Sequence, residues 1–409
     1  MDLVKRKTTR RYFRVEVLER RDLLSTTVSA DNPITNAATS SSTATFIDPT
    51  AIIGNANATT FGIQDYVGPF ATFRARGGAT ISIGNSSNVQ DNVIIQSTGR
   101  NASVVIGDHV ILAHGATVIG PATIGAPGGA AAFVGFNAVI DRATVEPGAM
   151  VSSLAKVAPG IVIPTGMNVL PGMYITTQAQ ADDLSLGKVA EVTAADIKFM
   201  NDVIHVNETL AAGYSQQAIE SPSSVRGVGP NPPAPPFNPI SYTPTLAGVP
   251  TTAPRFRNRI IGDVQMSNTG AQLNRVMGQG DSIRADEASP FLIGRIAAMG
   301  NRVTIHGLEF SDLKSGHGDS FGNHSVIHGG DDAGQAPQET TVLGSGVRIG
   351  AWDVVFRSTI GDRCVIGAYA YIDSSTLPPG TFVPRGAIII NNQYRGRVQS
   401  VFPGPIGYA

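Results

Sequence analysis

Apolar side chains recur at every sixth position in "VVIGDHVILAHGATVIGPATIG", where Ile106, Leu112, Val118 and Ile124 stand six apart. The spacing returns in "LGSGVRIGAWDVVF", at Leu343, Ile349 and Val355. A helix face repeats near 3.6 residues and a half-buried strand repeats at two, so neither produces a period of six. Such a period, with Gly or small residues behind the apolar ones, marks a parallel β-helix. Three hexapeptides complete a coil, and each apolar side chain points into a narrow prism. Both arrays also contract once to five residues, between Ile140 and Val145 and between Val355 and Ile360. A shared irregularity argues for two copies of one ancestral unit. The predicted fold is therefore mainly β, with two parallel β-helix (hexapeptide-repeat) domains in tandem.

The stretch "SPSSVRGVGPNPPAPPFNPISYTPTLAGVPTTAPR", residues 221–255, holds ten prolines and separates the arrays. Proline lacks a backbone N–H and fixes φ, so this stretch can neither pair in a sheet nor continue a helix. It reads as a linker between a domain of residues 46–220 and one of residues 256–409, after an N-terminal segment of residues 1–45. One helix is expected to close the first domain. It starts at Thr193, with Asp196 in the capping-box position, and stops at Gly213. Ile197, Met200, Val203, Ile204 and Leu210 give it an apolar face for the prism wall.

Charged residues make up 15% of the chain and the net charge is −1, yet eight Lys and Arg crowd into residues 1–21. The folded part carries no basic cluster, which excludes a general nucleic-acid surface. No run of about 18 apolar residues occurs, so no membrane-spanning helix is expected. Cys364 is the single cysteine, so no internal disulfide can form. No His or acid stands where it would activate that thiol. The N-terminus has the basic residues of an export signal without its continuous apolar core. Within it "LERRDLLS", Leu18 to Ser25, resembles the LEPR-x-LL segment at the N-termini of many planctomycete proteins, with Arg20 in place of Pro. That resemblance implies an exported or cell-envelope protein.

Of seven histidines, His114, His306, His324 and His328 stand where chemistry is conceivable, while His109, His205 and His317 read as surface residues. Three imidazoles around a divalent ion leave an open fourth position whose water becomes acidic near pH 7. On a β-helix such ligands converge from neighbouring coils, so no compact motif is needed. The first half carries "GNSSNVQDNVIIQ" and "GDHVILAHGATVIGP"; the second carries "SIRADEASPFLIG", "GNRVTIHGLE" and "GNHSVIHGG". Both halves resemble γ-class carbonic anhydrases, over most of residues 46–215 and 258–398. The resemblance implies left-handed β-helices packed as trimers, a metal at each subunit interface, and CO2 and bicarbonate as substrate and product.

That family takes two metal histidines from one subunit and the third from its neighbour. In the first half the three ligand positions hold Gln96, His114 and Ile119; in the second they hold His306, Asn323 and His328. Neither half is complete alone. The resemblance thus implies one composite site, with His306 and His328 from the second lobe and His114 from a first lobe, holding Zn2+ (or Fe2+ or Co2+). It also implies Glu309 as proton shuttle with Glu287 beside it, Gln90 orienting the reacting water, and Asn207 as an active-site asparagine. Arg284, Asp286, Asp91 and Arg74 are implied as interface residues. His324 is a substitute for the ligand missing at Asn323 in an alternative ring of second lobes. Three lobes per ring against two per chain makes homo-oligomer assembly awkward for the composite site. Two other readings stay open: a catalytically silent assembly component, and an acyltransferase, which the same architecture also supports. The pairing of "SIRADE" with "VTIHGLE" has no evident role in acyl transfer.

Overall fold

The computed structural model describes residues 42–220, 257–287, 290–308, 311–330 and 340–399. The N-terminal segment through residue 41, the whole proline-rich linker and Glu309 lie outside the described residues.

The six-residue period becomes three-sided coils. In the first lobe, strands that neighbour each other in a sheet are three apart in chain order, giving parallel sheets of eight, seven and six strands among the described residues. The second lobe repeats the plan with eight, six and five. Each eight-stranded sheet ends on one antiparallel strand, Val189–Glu191 in the first lobe and Gln393–Arg397 in the second. The periodic residues fill the prisms: Ile106, Leu112, Val118 and Ile124 belong to the first core, and Leu343, Ile349, Val355 and Ile360 to the second. Cys364 is buried just before the strand Val365–Ile366 and its thiol donates to the Pro378 carbonyl.

The two lobes pack on each other within one chain. An outer cluster joins Ile111, Phe136, Met150 and Leu154 of the first lobe to Val326, Val354, Phe356 and Ile388 of the second. Polar groups then fix the register of the contact. Asn92 Nδ2 donates to Thr304 Oγ1 at 3.1 Å, Asn137 Nδ2 donates to the His324 carbonyl at 2.8 Å, and a buried Arg259 meets Asp48 at 2.8 Å. The pairing of unlike lobes therefore needs no second chain.

The closing helix spans Ala194–Glu220 and starts as expected, with Thr193 and Asp196 capping each other's backbone N–H groups. It does not stop at Gly213 but runs seven residues further. Gly costs about 1 kcal/mol in a helix interior. Burial of Leu210, Ala211, Tyr214 and Ala218 against Phe46, Tyr66 and Ile261 outweighs that penalty. Ile197, expected on the packed face, is 49% exposed, because the buried stripe begins at Met200.

Candidate metal centre

His306 and His328 share one face because of strand register. In the second lobe's eight-stranded sheet, Arg284 pairs with His306 and His306 with His328. Their neighbours Ile305 and Ile327 point into the prism, so the alternating histidines point out. His114 comes from a turn, just after the strand Val110–Leu112 and before Gly115 at φ 72°. A Cβ on residue 115 would lie 2.1 Å from Asn137 Oδ1. Conformation and space both demand glycine there.

The three rings meet between the lobes. His306 Nδ1 lies 3.2 Å from His114 Nε2 and 3.1 Å from His328 Nε2, and all three residues are buried. Each ring's other nitrogen faces an acceptor. His328 Nδ1 donates to the Gly329 carbonyl at 2.8 Å, and His114 Nδ1 faces Asp91 Oδ1 at 3.5 Å. His306 Nε2 faces Glu287 Oε1 at 3.1 Å and Asp286 Oδ1 at 3.3 Å. With the ring protons on these outer nitrogens, three lone pairs are aimed at one point. Converging lone pairs repel unless a cation lies between them. An ion bonded to each nitrogen at about 2.0–2.1 Å in tetrahedral geometry would space them about 3.3 Å apart. The donor set therefore fits a divalent metal ion.

Electrostatics favour neutral His114 and His328. Burial pushes His114 down to about 4 and His328 well below the usual imidazole value, against the pull of Asp91 on the first and of the Gly329 carbonyl on the second. For His306, burial and Arg284 oppose charge, but Glu287 and Asp286 outweigh them and its pKa is raised. Arg284, itself buried, bonds Asp91 Oδ2 through Nε at 3.0 Å and Asp286 Oδ2 through Nη1, bridging the lobes. Burial resists ionisation of both aspartates, yet Arg284 holds each well below the usual carboxylate range. Phe136 lies parallel to the His114 ring, with centroids 5.6 Å apart, and Phe356 meets His328 edge-on at 5.5 Å, so one wall of the site is apolar.

The structure brings His114, His306, His328, Asp91, Arg284, Asp286 and Glu287 together. Gln90 is adjacent, its Oε1 accepting the His114 N–H at 3.2 Å. Asn207 is buried, and its Nδ2 donates to the Val203 carbonyl of its own helix at 2.6 Å. Arg74 pairs in register with Gln96, and Gln96 with Ile119. It therefore lies on the first lobe's own counterpart face, not in this cluster. His324 stacks on Trp352 with centroids 3.9 Å apart, outside the group. Glu309 lies outside the described residues.

Two residues near the centre escape sequence reasoning. Asn88 is fully buried with neither amide atom partnered among the described residues, and Tyr214 donates its hydroxyl to Asp286. Asn88 had a signal, since it sits in the same "NVQD" as Gln90 with the outward alternation of a strand. Tyr214 had none beyond its place in a helix.

No family model matches the chain. Among curated proteins, a carbonic anhydrase of Methanosarcina thermophila is 32% identical over 193 residues, 42% of this chain and 72% of that protein. The carboxysome assembly protein CcmM of Nostoc sp. is 35% identical over 156 residues, 36% of this chain. The match spans only 25% of that longer relative. Among solved structures, a hexapeptide transferase family protein from Anaplasma phagocytophilum aligns over 41% of this chain and 92% of its own, at 21% identity and TM-score 0.27.

Proposed function

Because this chain belongs to the γ-class carbonic anhydrase family, we propose that it hydrates CO2 reversibly to bicarbonate, at a metal held by His114, His306 and His328. The observation that carries this reading is the convergence of three buried imidazoles whose lone pairs are all turned to one point. Zn2+, Fe2+ or Co2+ suits three nitrogen donors, and availability decides among them. A divalent ion so held acts as a Lewis acid that makes water acidic near neutrality.

The chain's own residues do the rest. Asp91, Asp286 and Glu287 orient the imidazoles through their ring N–H groups. Hydration of CO2 releases one proton, and a carboxylate beside the ion takes it. Glu287 Oε2 is buried with no partner among the described residues, so it is the atom proposed to receive that proton. Glu309 then carries it outward to buffer. Gln90, tied to the His114 backbone, sits beside the turn that carries that ligand. The apolar wall of Phe136 and Phe356 suits a small apolar gas and excludes bulk water. Assembly of several chains into three-lobed rings, and export directed by residues 1–45, belong to the same proposal.

A second reading, a catalytically silent assembly component, is favoured by the similarity to CcmM. One experiment separates the two. Wild type, His114→Ala and His306→Ala are reconstituted with Zn2+ or Co2+, then assayed for bound metal and CO2 hydration. Catalysis predicts hydration by the wild type and loss of metal and activity in both variants. Metal-loaded wild type without hydration supports the assembly role. Loss of metal in His306→Ala alone overturns the composite site.

A further inference from the structure

Tyr214 lies on the closing helix of the first lobe, just past the glycine at which that helix was expected to stop. Its hydroxyl donates to Asp286 Oδ2, on the second lobe, 72 residues away in the chain. Its ring is buried and packs on Phe46, with centroids 4.8 Å apart, and on Tyr66, at 5.9 Å, rings that also meet each other at 6.2 Å. Tyr66 in turn lies against the Arg284 guanidinium, 5.5 Å from its ring centroid. The phenol therefore has little freedom to turn away from the carboxylate.

Asp286 divides its two oxygens between two tasks. Oδ2 accepts from Arg284 and from Tyr214, and Oδ1 faces His306 Nε2. A carboxylate gripped on one oxygen by a single donor can still swing about that contact. Two donors from different directions fix its plane, and fixing the plane aims Oδ1 at the histidine. The direction of the His306 Nδ1 lone pair follows from that.

We propose that Tyr214 is a positioning residue for the metal centre, holding Asp286 so that the His306 lone pair points at the ion. This rests on the metal site of the function proposed above, and it adds a first-lobe helix to the groups that set ligand geometry. The lobes are thereby coupled twice at the site. His114 acts directly on the ion, and Tyr214 acts through Asp286 on a second-lobe ligand.

A double-mutant cycle on the full chain tests this, with Co2+ as probe, reading its dissociation constant and visible absorption bands. Tyr214→Phe removes one oxygen and keeps the stacking ring. It should weaken Co2+ binding about tenfold, the lower end for loss of a group that holds a metal ligand, and shift the bands. Tyr66→Phe is the packing control, since its hydroxyl is buried without a partner among the described residues; it should bind Co2+ like wild type. In an Asp286→Asn background, Tyr214→Phe should cause no further loss, because its target is already altered. Equal losses in both backgrounds would mean a packing role and overturn the proposal, as would wild-type affinity and bands in Tyr214→Phe. Wild type that binds Co2+ but does not hydrate CO2 sinks the catalytic reading and leaves this one intact. Wild type that binds no Co2+ sinks both.

Discussion

At the scale of single residues, the cost of the site is the burial of ionisable groups. His114 and His328 are depressed by burial, and His324, under Trp352 and near Arg302, is pushed down to about 3. An unfolded chain protonates these imidazoles near 6.5, whereas the folded metal-free protein resists until about pH 4 or below. The unfolded state therefore binds more protons in that window, and stability falls as pH drops from about 6.5 towards 4. His306 is raised, so its contribution has the opposite sign and is lost as pH rises through its folded value. Replacing His324, which holds no place in the metal cluster, isolates one of these groups. His324→Gln should reduce the loss of unfolding free energy between pH 7 and pH 5 by roughly 1–2 kcal/mol, read from urea denaturation of the metal-free protein at the two pH values. An unchanged pH dependence would show that His324 titrates normally.

At the scale of elements, strand register and turn geometry place the ligands. His306 and His328 were legible together only through the family resemblance, which supplied their ligand positions; the strand register stacks them one long coil of 22 residues apart. The apolar period also exposed the two cores. The end of the closing helix was not legible. Gly213 reads as a stop by local propensity, and only packing on Phe46, Tyr66 and Ile261 carries the helix through it to Tyr214. The turn of His114 offers a sharper test. Gly115→Ala forces a side chain into the left-handed region and onto Asn137, which bonds the second lobe. It should destabilise the protein by about 1–3 kcal/mol and weaken Co2+ binding, measured by urea denaturation and metal titration. Wild-type values for both would mean the turn relaxes freely.

At the scale of the whole molecule, two incomplete lobes make one centre. The first lobe has Gln96 and Ile119 where the second has His306 and His328, while the second has Asn323 where the first has His114. Sequence could show that complement but not how the lobes would meet, since docking depends on apolar surface and cross-lobe hydrogen bonds far apart in the chain. The difficulty of fitting two lobes into rings of three disappears for the centre itself, because unlike lobes of one chain already face each other. Anomalous diffraction from crystals of the Co2+-loaded protein tests this most directly. One ion per chain is expected, bonded by His114 of the first lobe and by His306 and His328 of the second. An ion held by second-lobe residues alone, or ions on both lobes separately, would contradict it.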